Sequence, residues 1–184
     1  MMASSLSNGA PEDAPQGPGR FVVRQARRKD FAEAAAVQAL CLREIGEGVI
    51  PPEALDELTG PQTVRATVDS WQHLTEAGAK VWVIDDLLDM KIVGVAMTQP
   101  AADPDAPTPL ELSTLHVMPV ARTCGAPDAL ITAALGDRPA HFWVFKDNLR
   151  AQHFLRRHGF ELEPDSADNS LGGVILERMV REVV

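Results

Sequence analysis

The chain has 184 residues, and its 26 acidic side chains outnumber its 17 basic ones, which gives a formal net charge of −9. A chain of this length fits one domain and buries enough apolar surface to fold without disulfide or metal crosslinks. The negative charge disfavours a nucleic-acid partner, because such binding depends on Lys and Arg meeting phosphates, and it suits a cationic ligand better.

The cysteine content and the hydropathy pattern predict the cellular setting. Cys41 and Cys124 lie far apart, with no second Cys or His at metal-ligand spacing, so we predict reduced thiols and no metal site. No signal-peptide pattern and no run of about 18 apolar residues occurs, which predicts a cytoplasmic protein without a membrane partner. The sequence also has no tyrosine, which removes one common catalytic acid.

The first half of the chain predicts a tail, then a strand and helices. Residues 1–20 are rich in Ser, Gly, Pro and Ala, a composition typical of disorder. A β-rich run begins at Phe21, and apolar spacing predicts a helix over about 30–45, with Asp30 and Glu33 at the separation of a capping box. Pro and Gly then separate one short helix from one longer helix before residue 75.

The remaining chain predicts a sheet interleaved with helices. Two β-branched runs, 81–85 and 91–99, predict a hairpin, and the stretch after it predicts a loop up to Pro109. The later predicted elements are a strand over 110–119, a helix over 129–135 that ends at Gly136, a strand over 141–145, a helix over 148–158 and a closing strand over 173–180. This order predicts an α/β domain with a mixed sheet flanked by helices and no internal repeat.

The turn after the 110–119 strand carries the strongest chemical signal. Arg122 and Gly125 lie between a strand and a helix, where free backbone N–H groups and the helix dipole point at one place. Gly125 permits close backbone approach. The turn is typical of a site for an oxyanion such as pyrophosphate, and an ordinary turn with a surface arginine is the alternative.

Two motifs, together with the order of strands, resemble the GNAT family of acyl-CoA-dependent N-acetyltransferases over residues 21–181. The segment RTCGAP at 122–127 resembles the family's pyrophosphate loop, and it directly follows a strand. The segment NLRAQHFLRRHGF at 148–160 resembles the family's second cofactor motif. The predicted hairpin and the strand after it resemble the family's central sheet.

The resemblance implies a GNAT-type fold over residues 21–184 that binds acetyl-CoA as acyl donor. The strands at 111–117 and 141–145 would diverge, and the pantetheine arm would pair with the exposed backbone of one of them. The residues implied in cofactor binding are Leu115, His116, Val117, Arg122, Thr123, Cys124, Gly125, Ala126, Pro127, Asp128, Asn148, Ala151 and Phe154.

Three positions depart from the family pattern. Thr123 and Pro127 stand where the family usually has Gly, and Leu155 stands where it often has Tyr. Pro127 has no N–H for a phosphate, and Asp128 adds negative charge beside it. We therefore predict weaker CoA binding than a glycine-rich loop would give, or a loop that reaches phosphate through Thr123 Oγ and the remaining amides.

The activity implied is acetyl transfer to a primary amine by direct attack in a ternary complex. An alkylamine with a pKa of ~10.4 is neutral in about one molecule in 2,500 at pH 7, so it needs a base. Glu111, acting through a water, is the first candidate and His116 the second, while Ser113 or water would protonate the leaving thiolate. A solvated carboxylate at Glu111 and a packed histidine at His116 are the structural alternatives.

The acceptor is expected to be a cationic small molecule or a peptide amine. This expectation rests on an acidic segment, in which residues 46–78 would line the acceptor pocket and solvated surface charge is the alternative. The acidic residues are Glu44, Glu47, Glu53, Asp56 and Glu57. A GNAT-like module that holds CoA or a protein partner without turnover is the alternative function, and the closing strand would suit a homodimer.

Overall fold

The computed structural model describes residues 19–166, 169–171 and 173–182, so residues 1–18 of the predicted tail lie outside the described residues. The strands are β1 (Phe21–Gln25), β2 (Lys80–Asp86), β3 (Lys91–Pro100), β4 (Leu110–Val117), β5 (Ala140–Phe145), β6 (Glu161–Leu162), β7 (Asn169–Leu171) and β8 (Val174–Arg181). The helices are α1 (Phe31–Gly46), α2 (Pro52–Thr59), α3 (Pro61–Glu76), α4 (Ala126–Leu135) and α5 (Leu149–Arg157). Every predicted helix and strand is confirmed, and β6 and β7 are additions.

One mixed sheet runs through the molecule in the order β1-β2-β3-β4-β5-β8-β6, with β7 paired to β8. Its neighbours are antiparallel except β4 and β5, which are parallel. The β4–β5 pairing consists of a single register pair, Glu111 with His141. Beyond that pair the two strands separate, as the resemblance implies, and the sheet opens toward their carboxyl ends.

Helices cover both faces of the sheet and divide the core into clusters. Helices α1 and α3 pack on one face through a cluster that includes Phe31, Trp71 and Val95. Helices α4 and α5 pack on the other face around Leu112 and Phe160, which have no exposed area. A third cluster joins α1 and α2 to β5 and β8. The strand pair that separates is therefore held between two packed layers.

A β-bulge in β4 lies just past the point where β4 and β5 separate. Thr98 of β3 pairs with Leu112, whereas its neighbour Met97 pairs with Thr114, so Ser113 is an extra residue. A bulge reverses the side-chain alternation that follows it. Leu112 and Leu115 consequently both pack against the α4 and α5 cluster although they are three residues apart.

The predicted capping box at the start of α1 is wrong. Asp30 Oδ2 accepts from the backbone N–H of Arg27 at 2.7 Å and from the Arg24 guanidinium at 2.6 Å. Glu33 Oε1 accepts from the N–H of Ile92 on β3 at 2.9 Å. The reason is tertiary, because β1 brings an arginine to Asp30 and the first turn of α1 lies beside β3. The two carboxylates therefore tie α1 to the sheet.

An ion pair ties the residue before β1 to the sheet. Arg20 donates to the carboxylate of the buried Asp86 at 2.8 and 2.6 Å, which joins it to the end of β2.

Within the described part of the chain, no helix combines the length and the hydrophobicity needed to cross a bilayer.

Candidate active site

A cavity of about 370 Å³ opens where β4 and β5 diverge, and we call it the β4–β5 cleft. Residues 113–117 of β4 and 142–145 of β5 form two walls, α1 forms a third, and α5 with the start of α4 forms the fourth. Because β3 occupies the other edge of β4, the β4 backbone past Glu111 presents unpaired polar groups to the cleft. Such an edge accepts an extended ligand by strand addition.

The cleft gathers many of the residues singled out by the sequence. Those that line it are Ser113, Leu115, His116, Val117, Arg122, Pro127, Asn148, Ala151 and Phe154. The remaining ones, which are absent from its lining, are Glu111, Thr123, Cys124, Gly125, Ala126 and Asp128. None of the lining residues comes from the 46–78 segment that was expected to form the acceptor pocket.

Glu111 lies at the apex where β4 and β5 meet. It is half-buried, and its Oε2 accepts a hydrogen bond from Gln99 Nε2 at 2.9 Å. Its register partner His141 is buried and shares a 2.8 Å hydrogen bond with Thr108 Oγ1. Thr108 donates its single proton to the Leu110 carbonyl, so His141 Nδ1 carries the proton in that bond.

Arg122 bridges the end of β4 to α1. Its guanidinium makes a two-pronged contact with the Glu44 carboxylate at 2.6 Å for each oxygen, and its Nε donates to the Val117 carbonyl at 2.7 Å. Three of its five N–H donors are thus used. The Arg122 hydrogen bonds lower the pKa of Glu44. Local sequence could not reveal this partner, which is 78 residues away.

The start of α4 has the geometry of an anion site. Gly125 has φ of 77° and ends the turn before the helix. Among the described residues, no backbone acceptor binds the N–H groups of Thr123 or Ala126. The Asp128 carboxylate in the first turn contacts His158 Nε2 at 3.0 Å and Arg157 at 3.2 Å, so α5 offsets its charge.

Asn148 begins α5 and faces the cleft. Its Oδ1 accepts from the N–H of Ala151 at 3.1 Å, which caps the helix and leaves the amide nitrogen for another partner. Gly159, with φ of 81°, follows the helix, and the fully buried Phe160 packs beneath it. The motif at 148–160 therefore positions α5 as a wall of the cleft.

The two cysteines are not joined by a disulfide bond. Cys41 and Cys124 are both free thiols, and burial raises the pKa of Cys41. In the described ranges, no group of three or more His, Cys, Asp and Glu side chains could hold a metal ion.

His116 is held neutral in the cleft wall. Burial and, second, the nearby Arg122 charge lower its pKa from 6.5 to about 4. At neutral pH its ring is therefore an uncharged donor and acceptor. A group with so low a pKa takes up a proton only in acid.

We expect His116 to make the fold acid-sensitive. Its folded pKa lies below its unfolded value, so the stability it contributes is present above pH 6.5 and is lost as pH falls toward 4. Between pH 7 and 5 the free energy of unfolding should fall by about 2 kcal/mol more in the wild type than in His116→Gln. Urea unfolding at both pH values checks this. The matched control is His153→Gln, an exposed histidine on α5, which should keep the wild-type dependence. Equal pH dependence in wild type and His116→Gln would contradict the burial of a neutral ring.

A mixed sheet with two parallel central strands that diverge beside a helix N-terminus is the architecture of GNAT acetyltransferases. Solved structures confirm this predicted fold. A GCN5-related N-acetyltransferase from Rhodopseudomonas palustris is 16% identical, with a TM-score of 0.62 over 88% of this chain and 95% of that one. An acetyltransferase from Thermus thermophilus is 20% identical, with a TM-score of 0.60 over 88% and 96%.

A third structure with this fold was solved with a ligand. The PaiA N-acetyltransferase from Thermoplasma acidophilum, in complex with coenzyme A, is 15% identical, with a TM-score of 0.57 over 86% of this chain and 97% of that one. No protein-family model and no curated protein matches the sequence. The chain thus has the GNAT fold, carried by a sequence that has diverged widely from these structures.

Proposed function

We propose that this chain is an N-acetyltransferase that moves an acetyl group from acetyl-CoA to a primary amine. The observation that supports it is the β4–β5 cleft, which combines an unpaired strand edge with a helix N-terminus. These two features suit the two chemically different parts of the donor, its amide-bearing pantetheine arm and its pyrophosphate.

The donor would lie along β4 with its phosphates toward α4. The pantetheine amides would pair with the backbone of Leu115 and Val117, and the Asn148 amide lies on the opposite wall. The phosphates would meet the N–H groups of the turn before α4 and the Arg122 guanidinium. Pro127 supplies no N–H there, which is why we expect weaker binding than a glycine-rich turn would give.

The chemistry needs a proton acceptor and a proton donor. When bound, acetyl-CoA supplies an activated carbonyl whose C–S bond breaks as the amine nitrogen forms the new C–N bond. Glu111 would take the proton from the amine through a water, and Ser113 or water would return one to the thiolate. A thiol with a pKa of ~8.5 is a tolerable leaving group near neutrality, so the missing tyrosine costs little. The Val117 N–H would polarise the carbonyl.

Thiol release from acetyl-CoA in the presence of a panel of amines tests the proposal. We expect free thiol and an acetylated amine in equal amounts with at least one primary amine. Ala151→Trp, which fills the cleft, should abolish release while its unfolding transition stays close to that of the wild type. Binding of acetyl-CoA without turnover for any amine would contradict catalysis and leave a binding module.

The Arg122–Glu44 contact sets the affinity for the donor. Glu44 places a carboxylate on the guanidinium that we assign to the donor's phosphates, so the two anions compete. Glu44→Gln should tighten acetyl-CoA binding by about 3- to 10-fold, equivalent to roughly 1 kcal/mol. Arg122→Gln should weaken binding by about 10-fold or more.

Calorimetric titration of each variant with acetyl-CoA measures these changes. The matched control is Asp56→Asn, since Asp56 pairs with Arg43 at 2.8 Å and is absent from the lining of the cleft. Its dissociation constant should stay within about twofold of the wild type. Weaker binding by Glu44→Gln would contradict competition and mean that Glu44 holds Arg122 ready for the donor.

A further inference from the structure

We infer that the cleft receives an uncharged hydrocarbon group beside the transferred carbonyl, carried by the amine or by the acyl chain, and disfavours acceptors with a second positive charge. This inference deepens the proposed function and rests on it. It concerns the substrate class, which the acidic segment of the sequence predicts to be cationic.

The charge of the cleft wall opposes a second ammonium group. Among the described residues that line the cleft there is no aspartate or glutamate, and the charged ones are Arg122 and Arg150. A second ammonium group would lose water there without gaining a carboxylate partner from the lining, and the Arg150 guanidinium is a like charge. The cleft interior therefore disfavours a polyamine.

The acidic residues lie outside the lining of the cleft. Glu44 is committed to Arg122 and Asp56 to Arg43. Glu53 is exposed and is absent from the lining of the cleft. A smaller adjoining cavity of about 280 Å³ is lined by Glu44 and Asp147, but also by Arg150. The acidic residues thus stay outside the lining of the cleft, and two of them, Glu44 and Asp56, are paired with arginines.

The wall of the cleft on the α1 side is apolar. Leu42 and Ile45 of α1 face Phe145 of β5 and Leu176 of β8, and all four belong to the third core cluster. This wall is the exposed side of a packed hydrophobic cluster, so it is preformed. Covering it with hydrocarbon removes apolar surface from water on both partners, which corresponds to about fourfold in affinity for each methylene buried.

A matched amine panel with acetyl-CoA tests the inference. We expect kcat/KM to rise about two- to fourfold per methylene from ethylamine to hexylamine, and to be at least 10-fold higher for hexylamine than for 1,6-diaminohexane. A second arm fixes ethylamine and compares acetyl-, butanoyl- and hexanoyl-CoA. A rise confined to the amine arm assigns the hydrocarbon to the acceptor, and a rise confined to the acyl arm assigns it to the donor.

A variant pair tests the wall itself. Ile45→Asp places a carboxylate on the apolar wall and should invert the preference, so that 1,6-diaminohexane becomes the better acceptor. The control is Leu40→Asp on the same helix, a leucine that is 56% exposed and absent from the lining of the cleft, and it should keep the wild-type ranking.

The outcomes separate this inference from the proposed function. A higher kcat/KM for diamines, or a kcat/KM that does not depend on chain length in either arm, would overturn the inference while leaving acetyl transfer in place. If no amine is acetylated, calorimetric binding of hexylamine and 1,6-diaminohexane to the chain saturated with CoA still ranks the two. Tighter binding of the diamine would overturn the inference there as well.

Discussion

Replacing Glu111 with glutamine is expected to lower kcat for an alkylamine by about 100-fold or more, because a positioned general base contributes about 10²- to 10⁴-fold. Glutamine keeps the shape of the side chain, and its carbonyl oxygen can accept the same bond from Gln99, which is 2.9 Å long in the wild type. The apex of the cleft should therefore stay intact. Steady-state kinetics with acetyl-CoA and hexylamine measure the loss, and donor affinity should change less than twofold.

The size of the Glu111→Gln effect should depend on the acceptor. An amine with a pKa of ~7.8 is neutral in about one molecule in seven at pH 7, far more often than an alkylamine, so it needs the base less. The matched control is Glu177→Gln on β8, a carboxylate that lies 3.7 Å from Lys146 and pairs in register with Val144, away from the apex formed by Glu111 and His141. If Glu111→Gln retains kcat within about twofold, Glu111 is not the base.

Truncating Phe160 to alanine is expected to lower the free energy of unfolding by about 3–5 kcal/mol. Phe160 has no exposed area and packs in the cluster beneath α4 and α5, so its removal leaves a cavity that the neighbours cannot fill. The same change should loosen α5 and weaken acetyl-CoA binding, because α5 forms one wall of the cleft. Urea unfolding monitored by circular dichroism gives the first quantity and calorimetry the second.

Two further variants calibrate the Phe160→Ala result. Phe160→Leu keeps most of the volume and should cost clearly less than alanine. Leu149→Ala changes a residue of α5 that is 70% exposed and should stay within about 0.5 kcal/mol of the wild type. A Phe160→Ala loss no larger than that of Leu149→Ala would contradict the role of Phe160 as the anchor of α5.

The parts of the fold with a local cause could be predicted from the sequence. The hairpin of β2 and β3 follows from two β-branched runs, and α5 follows from a capping residue, Asn148, and a terminating glycine, Gly159. Each of these signals acts within a few residues. The strand β7, three residues long, and the two-residue β6 carry no such signal, since they exist by pairing with β8.

The geometry of the site depends on contacts that no local pattern encodes. The bulge at Ser113 results from the register between β3 and β4, and it decides which side chains of β4 face the cleft. The pairing of Arg122 with Glu44 joins residues from a turn and from α1. The sequence predicted Arg122 as a cofactor ligand and Glu44 as part of an acidic acceptor pocket, and their mutual contact changes the expected role of both.

The residues at which the sequence departs from the family pattern, and Asp128 beside them, differ in burial and in the groups that they contact. Pro127 is buried in the first turn of α4, where its fixed φ suits a helix start and its missing N–H has no helical partner to lose. The Asp128 carboxylate, next to Pro127, pairs with Arg157 and shares a hydrogen bond with His158 Nε2. Leu155 has no exposed area and packs in the core, and it also borders the cleft without offering a hydroxyl. These surroundings favour weaker acetyl-CoA binding in the β4–β5 cleft over the complete loss of that binding site.

Calorimetric titration of the full chain with acetyl-CoA tests the central claim most directly. We predict one binding site per chain, binding that is lost in Ala151→Trp, and binding that is tightened in Glu44→Gln. Absence of heat at millimolar acetyl-CoA, or equal affinity in the wild type and Ala151→Trp, would contradict the assignment of the β4–β5 cleft as the donor site.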